Sequence, residues 1–218
     1  VSPIIDPRVE AYAEAHTTPP GPALAAVAEE TRATLSSPQM LTGAVEGRFL
    51  ELLVFAAGAR SVLEIGTFSG YSALAMAAGL PADGTIVTCE VSEDHAAVAR
   101  RHIAASRYAD QIDVRVGPAL ETIAELEGPF DLVFIDADKG GYPAYYDACV
   151  PKLSERGLMA IDNTLQSGRV VDPAPDDERA LGMARFNAMV LADPRTTSVM
   201  LSVRDGVTLV RLAPSPAT

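Results

Sequence analysis

Apolar residues recur along this chain in two alternating rhythms. Five short runs, at 61–65, 85–90, 111–116, 131–136 and 157–162, are mostly apolar. Such runs, bounded by polar and turn residues, predict strands buried on both faces, as in a parallel sheet. Helical spacing fills the intervals, at about 70–79, 92–106, 118–126, 142–152 and 177–192. The alternation βαβαβαβαβα predicts a parallel sheet with helices on both faces. Two further β-rich runs, 197–203 and 207–212, flank Arg204-Asp205-Gly206, and Asp-Gly in that setting signals a hairpin. The expected fold is a doubly wound, mostly parallel seven-stranded α/β sheet that ends in an antiparallel hairpin.

Residues 1–42 predict a helical preface, with helices at about 7–16 and 22–35 separated by Thr17-Thr18-Pro19-Pro20-Gly21-Pro22. A helix from Gly43 to Ala57 follows. Phe49, Leu50, Leu53 and Val54 lie on one stripe of it, and Gly58 is its stop. The chain is expected to form one domain over 1–218, with its α/β core at 43–213. The tail from Pro214 to Thr218 is expected to fray.

Chemistry gathers at the strand ends. The fourth run leads into Asp136-Ala137-Asp138-Lys139 and the fifth into Asp162-Asn163. Ligands of open α/β sheets sit beyond the carboxyl ends of the strands. Asp136, Asp162 and Asn163 are thus candidates for three oxygen donors to a hard cation, magnesium above all, with manganese or calcium also suited. The plainer alternative is that these carboxylates only accept loop and helix N–H bonds. Fifteen of the seventeen basic residues are arginine. Lys139 therefore stands out as a titratable amine, with a surface ion pair to Asp138 or Asp136 as its alternative role. At the first strand, Gly66-Thr67-Phe68-Ser69-Gly70 forms a glycine-bearing turn, and the second strand ends in Glu90. An acid there can accept hydrogen bonds from both hydroxyls of a ribose. The turn lacks the GxGxxG spacing expected of a nicotinamide-dependent oxidoreductase. A non-catalytic nucleoside-binding protein is the other alternative.

Composition narrows the partners. A net charge of −12 repels polyanions and argues against nucleic acid. No apolar stretch reaches 18 residues, so no membrane partner is expected. Cys89 and Cys149, far apart and outside any CxxC, predict reduced interior thiols and a cytoplasmic location. His95 and His102 are expected on the exposed face of one helix.

Taken together, Leu63-Glu64-Ile65-Gly66-Thr67-Phe68-Ser69-Gly70-Tyr71-Ser72, Asp136-Ala137-Asp138-Lys139 and Asp162-Asn163-Thr164 resemble the metal-dependent, S-adenosylmethionine-dependent O-methyltransferases of catechol and caffeoyl-coenzyme A type. The likeness runs from about Met40 to Leu212, and the preface resembles that of bacterial members. It implies a class I, Rossmann-like methyltransferase fold and transfer of a methyl group to one hydroxyl of a vicinal aromatic diol. It implies that Thr42, Glu64, Gly66, Thr67 and Ser72 hold the methionine end of S-adenosylmethionine, that Glu90 holds the ribose, and that Ala119 and Asp138 lie by the adenine. Asp136, Asp162 and Asn163 match the family's metal ligands, Asp136 counting with the cofactor residues as well. Lys139 matches the proposed base, and a homodimer is implied. The chain departs from plant-like members after Asp-Asn-Thr: Gln166-Ser167 replaces a Trp-Asn pair, so a coenzyme A thioester acceptor is not implied.

Overall fold

The computed structural model describes residues 4–214, and within it the five apolar runs form five parallel strands. They are β1 (Ser61–Ile65), β2 (Thr85–Glu90), β3 (Ile112–Val116), β4 (Phe130–Ile135) and β5 (Leu153–Ile161), followed by β6 (Thr196–Leu201) and β7 (Val207–Leu212). The helices are α1 (Pro7–Ala15), α2 (Pro22–Thr34), α3 (Ala44–Ala57), α4 (Tyr71–Ala77), α5 (Glu93–Ala104), α6 (Ala119–Glu125), α7 (Tyr142–Cys149) and α8 (Glu178–Ala192). One seven-stranded sheet runs β3-β2-β1-β4-β5-β7-β6. Both contacts of β7, with β5 and with β6, are antiparallel, as the hairpin requires. The expected residues Ser215 to Thr218 of the tail lie outside the described residues.

Burial follows the pleat, because successive strand side chains point to opposite faces. Leu132 and Phe134 of β4 pack on the face covered by α3, α4 and α5, with Leu50, Val54, Met76 and Ala99. Val133 and Ile135 pack on the other face, with Tyr142, Tyr146 and Phe186 of α7 and α8. Cys89 and Cys149 are buried and free, as expected. Among the described residues no helix is long and apolar enough to cross a membrane.

Four boundaries differ from expectation for physical reasons. β4 and β5 stop at Ile135 and Ile161, so Asp136 and Asp162 are the first residues beyond their strands. Their N–H groups still extend the ladder, to Ile65 O and Ile135 O at 2.9 and 3.0 Å. β5 begins four residues early, at Leu153, where Ser154, Glu155 and Arg156 leave the apolar pattern because that end is not buried on both faces. α7 ends at Cys149, and Pro151, which lacks an N–H to continue an α-helix, sits in a 3-10 turn over Val150–Lys152.

The sheet order places the site. From β1 the chain winds outward to β2 and β3, then returns to β4 on the other side of β1. The crevice where winding reverses, beyond the ends of β1 and β4, is the place for a ligand in such folds. Gly66 stands there with φ of 107°, and a Cβ on it would lie 2.0 Å from Asp136 O. The close approach that this glycine permits is therefore to the end of β4, more than to a ligand. Gly66→Ala is expected to destabilise the protein by roughly 2–5 kcal/mol, combining backbone strain with overpacking. Denaturant unfolding checks this, and a change under 1 kcal/mol would contradict it. Gly70, with φ of 84°, packs against Ala99 of α5 at 3.2 Å. It thus lets α4 start close against α5.

Candidate active site

A cavity of about 970 Å³ opens over the ends of β1, β2, β4 and β5. Its walls include Thr42, Gly66, Thr67, Ser72, Glu90, Ala119, Asp136, Asp138, Lys139, Asp162 and Asn163. Eleven residues singled out in the sequence thus meet in one space. Glu64 is the exception: it is fully buried behind the wall.

Behind that wall, Thr88 donates a short hydrogen bond to the Glu64 carboxylate, and the Thr67 and Thr88 hydroxyls are 2.5 Å apart. Burial pushes the Glu64 carboxyl up to about 8, against the pull of the Ser72 and Thr88 hydroxyls. A carboxyl whose folded pKa is raised contributes stability below its ordinary value near 4.5, and that contribution is lost as pH rises toward 8. Between pH 5 and 8.5, Glu64→Gln is expected to remove on the order of 2–4 kcal/mol of this loss. Unfolding free energies of the ligand-free proteins at both pH values test it; an unchanged pH slope would refute it.

Glu90 is held in place by the loop that it faces. Its Oε2 accepts from Phe68 N at 2.7 Å and its Oε1 from Ser92 N at 2.9 Å. A carboxylate has about four acceptor positions, so two remain for hydroxyl groups. Phe68, at a left-handed φ of 49°, lines the cavity and meets the His95 ring edge-on. Across the cavity, Asp138 accepts from Gly141 N at 2.9 Å and from Tyr145 Oη at 2.6 Å, capping its own turn.

At the far end, the acids crowd together. Asp162 is 4% exposed, and its Oδ1 has no hydrogen-bond partner. Burial, with the charge of Asp136 added, pushes its carboxyl up to about 7, while the Asn163 N–H and Lys139 pull it down. Glu46 of α3, 2% exposed, also has an orphaned buried oxygen, Oε1. Its carboxyl is held well above the usual range by burial and by Asp162, against the pull of Arg204 at 3.7 Å. Buried carboxylates without partners are costly unless a positive charge joins them. The Glu46 and Asp162 carboxyls lie within hydrogen-bonding range of each other, where a shared proton or a cation would relieve their burial. Among the described residues no three His, Cys, Asp or Glu side chains form a ready-made cage. Asp136, Asp162 and the amide oxygen of Asn163 could supply three oxygen donors to such an ion.

Lys139 Nζ donates to Asp136 Oδ1 at 2.9 Å and to Tyr142 Oη at 2.6 Å. Of its two expected ion-pair partners, it takes Asp136. Gln166, the first residue of the pair at which the chain departs from the plant-like pattern, is not part of the cavity wall. It is buried, and its Nε2 donates to Asn163 O at 2.7 Å. Ser167 beside it lines the cavity.

The histidine expectation is corrected in part. The His102 side chain is 13% exposed, with Nε2 2.9 Å from Glu30 of α2, and His95 leans on Phe68 and Glu90. Neither stands on an open helix face, because elements distant in sequence cover them. Four site residues escaped the sequence reading: Glu46, Tyr142, Arg204 and Arg179. A signal existed for Glu46, an acid at i, i+4, i+8 spacing with the buried Leu50 and Val54.

Known proteins bear on this geometry. The family model described as O-methyltransferase matches residues 14–213. A catechol O-methyltransferase of Niastella koreensis is 37% identical over 163 residues, covering 72% of this chain and 73% of that protein. A Dictyostelium discoideum protein named "Probable caffeoyl-CoA O-methyltransferase 1" is 40% identical over 177 residues, covering 78% and 77%. The crystal structure of an O-methyltransferase from Bacillus cereus in complex with SAH superposes with a TM-score of 0.86 at 34% identity, covering 94% of this chain and 97% of that one. With a model match across nearly its whole length and relatives of this similarity, the chain belongs to the O-methyltransferase family.

Proposed function

We propose that the protein transfers a methyl group from S-adenosylmethionine to one hydroxyl of a vicinal aromatic diol, with Mg²⁺ held by Asp136, Asp162 and Asn163. Mn²⁺ or Ca²⁺ would suit the same oxygens. The observation that carries this reading is the orphaned Asp162 Oδ1 beside Asp136, in the cavity that also holds Lys139, the Gly66 turn and Glu90. A divalent cation supplies Lewis acidity, which makes a neighbouring hydroxyl easier to deprotonate and favours a pair of chelating oxygens.

The chain's own residues do the rest. Glu90, fixed by two backbone N–H groups, offers its remaining lone pairs to the ribose hydroxyls. Gly66, Thr67, Ser72 and Thr42 border the methionine end, with Glu64 supporting them from behind. Ala119 and Asp138 flank the adenine. Lys139 Nζ takes the proton of the attacking hydroxyl, and most of the acceleration comes from positioning and charge. A homodimer in the cytoplasm goes with this reading. The exposed Val9 and Tyr12 of α1 and Leu52 and Phe55 of α3 support an interface there.

An acceptor panel tests the reaction: catechol, resorcinol and phenol with S-adenosylmethionine and Mg²⁺. Catechol is expected to be methylated at least about 100-fold faster, since only it can chelate. Equal rates for phenol would sink the vicinal-diol assignment. For the cofactor, Glu90→Ala is expected to cost about 2–3 kcal/mol of S-adenosylhomocysteine binding, the scale of charge-assisted hydrogen bonds. Calorimetry that finds unchanged affinity would rule out the ribose role.

A further inference from the structure

We propose that Tyr142 is a positioning residue that sets the direction of Lys139 Nζ toward the acceptor. The inference rests on Lys139 being the base. Tyr142 is fully buried at the start of α7, so its ring cannot swing, and its hydroxyl lies between two elements of the site. Lys139 Nζ donates to Tyr142 Oη at 2.6 Å, and Tyr142 Oη donates onward to the main-chain oxygen of Asp162 at 3.1 Å. Lys139 Nζ also sits 4.8 Å from the centre of the Tyr142 ring. The amine is thus tied to the backbone that carries the fifth-strand acid.

The consequence is geometric. A tetrahedral amine nitrogen has four positions, one of them taken by its own carbon. Two N–H bonds go to Asp136 Oδ1 and Tyr142 Oη. One position is left, and because Lys139 lines the cavity it is the one open to the acceptor hydroxyl. With Asp136 alone, the amine could rotate about a single contact. Tyr142 supplies the second contact that fixes it.

The experiment is a double-mutant cycle with catechol, S-adenosylmethionine and Mg²⁺. Tyr142→Phe is expected to lower kcat by about 10–100-fold, the scale of a misplaced catalytic group. The KM for catechol and the affinities for S-adenosylhomocysteine and Mn²⁺ should stay within about twofold, as expected for a contact that acts on the chemical step. In a Lys139→Met background, the same substitution should change kcat by less than about twofold, because residues acting as a unit are non-additive. An equal fold loss in both backgrounds, or a parallel loss of Mn²⁺ affinity, would show a structural role and overturn the proposal. No loss in the Lys139 background would overturn it too. If Tyr142→Phe does not fold, 4-fluorophenylalanine at position 142 keeps the ring's shape without the donated bond and carries the same expectations. A parent-like rate for Lys139→Met alone would instead sink the base assignment.

Discussion

Asp162→Ala is expected to lower turnover by about 10³-fold, the scale of several kcal/mol of lost charge stabilisation. Asp162 is nearly buried, and its Oδ1 has no protein partner. Its Oδ2 accepts from Asn163 Nδ2 at 2.9 Å, so this carboxylate also orients the neighbouring donor. Asp162→Asn separates charge from shape. It should lose turnover similarly while the ligand-free protein keeps its stability. The sign follows from the carboxyl being pushed up to about 7, so that its ionisation works against the fold at higher pH. At pH 8, Asp162→Asn should therefore be as stable as the parent or more so, as thermal unfolding without added metal would show. Turnover within tenfold of the parent would remove Asp162 from the cation site.

The second large effect belongs to Lys139. Lys139→Met keeps the aliphatic stem and removes the proton acceptor. Turnover at neutral pH should fall by about 10²–10⁴-fold, the usual range for general base catalysis. Cofactor affinity should hold, because the change leaves the Glu90 carboxylate and the Gly66 turn as they are. Raising the pH should recover part of the rate, since hydroxide can take the same proton. Lys139→Arg is the sharper comparison: arginine keeps the positive charge beside Asp136 but cannot serve as a titratable amine. It should be nearly as poor as methionine. A parent-like arginine variant would make Lys139 an electrostatic partner of Asp136 and leave the base to be found elsewhere.

The strands and most strand-end residues were legible because a parallel strand buried on both faces leaves a continuous apolar run, and the polar residue that ends it marks the crevice. Leu132-Val133-Phe134-Ile135 followed by Asp136 is such a case. Legibility failed where a site residue looks like core or answers to a distant element. Tyr142 passes for a packing aromatic at a helix start; only its hydrogen bonds to Lys139 and Asp162 distinguish it. His102 has a helix-surface neighbourhood in sequence, yet Glu30 of α2 covers it. Arg204 belongs to the β6–β7 turn, and its approach to Glu46 of α3 depends on how the sheet closes. The cavity wall also takes Met40, Leu41, Ser167, Arg179 and Arg204 from four separate segments, and no local spacing relates them.

Cation dependence of the transfer is measured with labelled S-adenosylmethionine, catechol and enzyme stripped of metal, before and after addition of Mg²⁺. Negligible transfer is expected in chelator, with full recovery on adding Mg²⁺ in excess. Undiminished transfer in excess chelator would contradict that dependence.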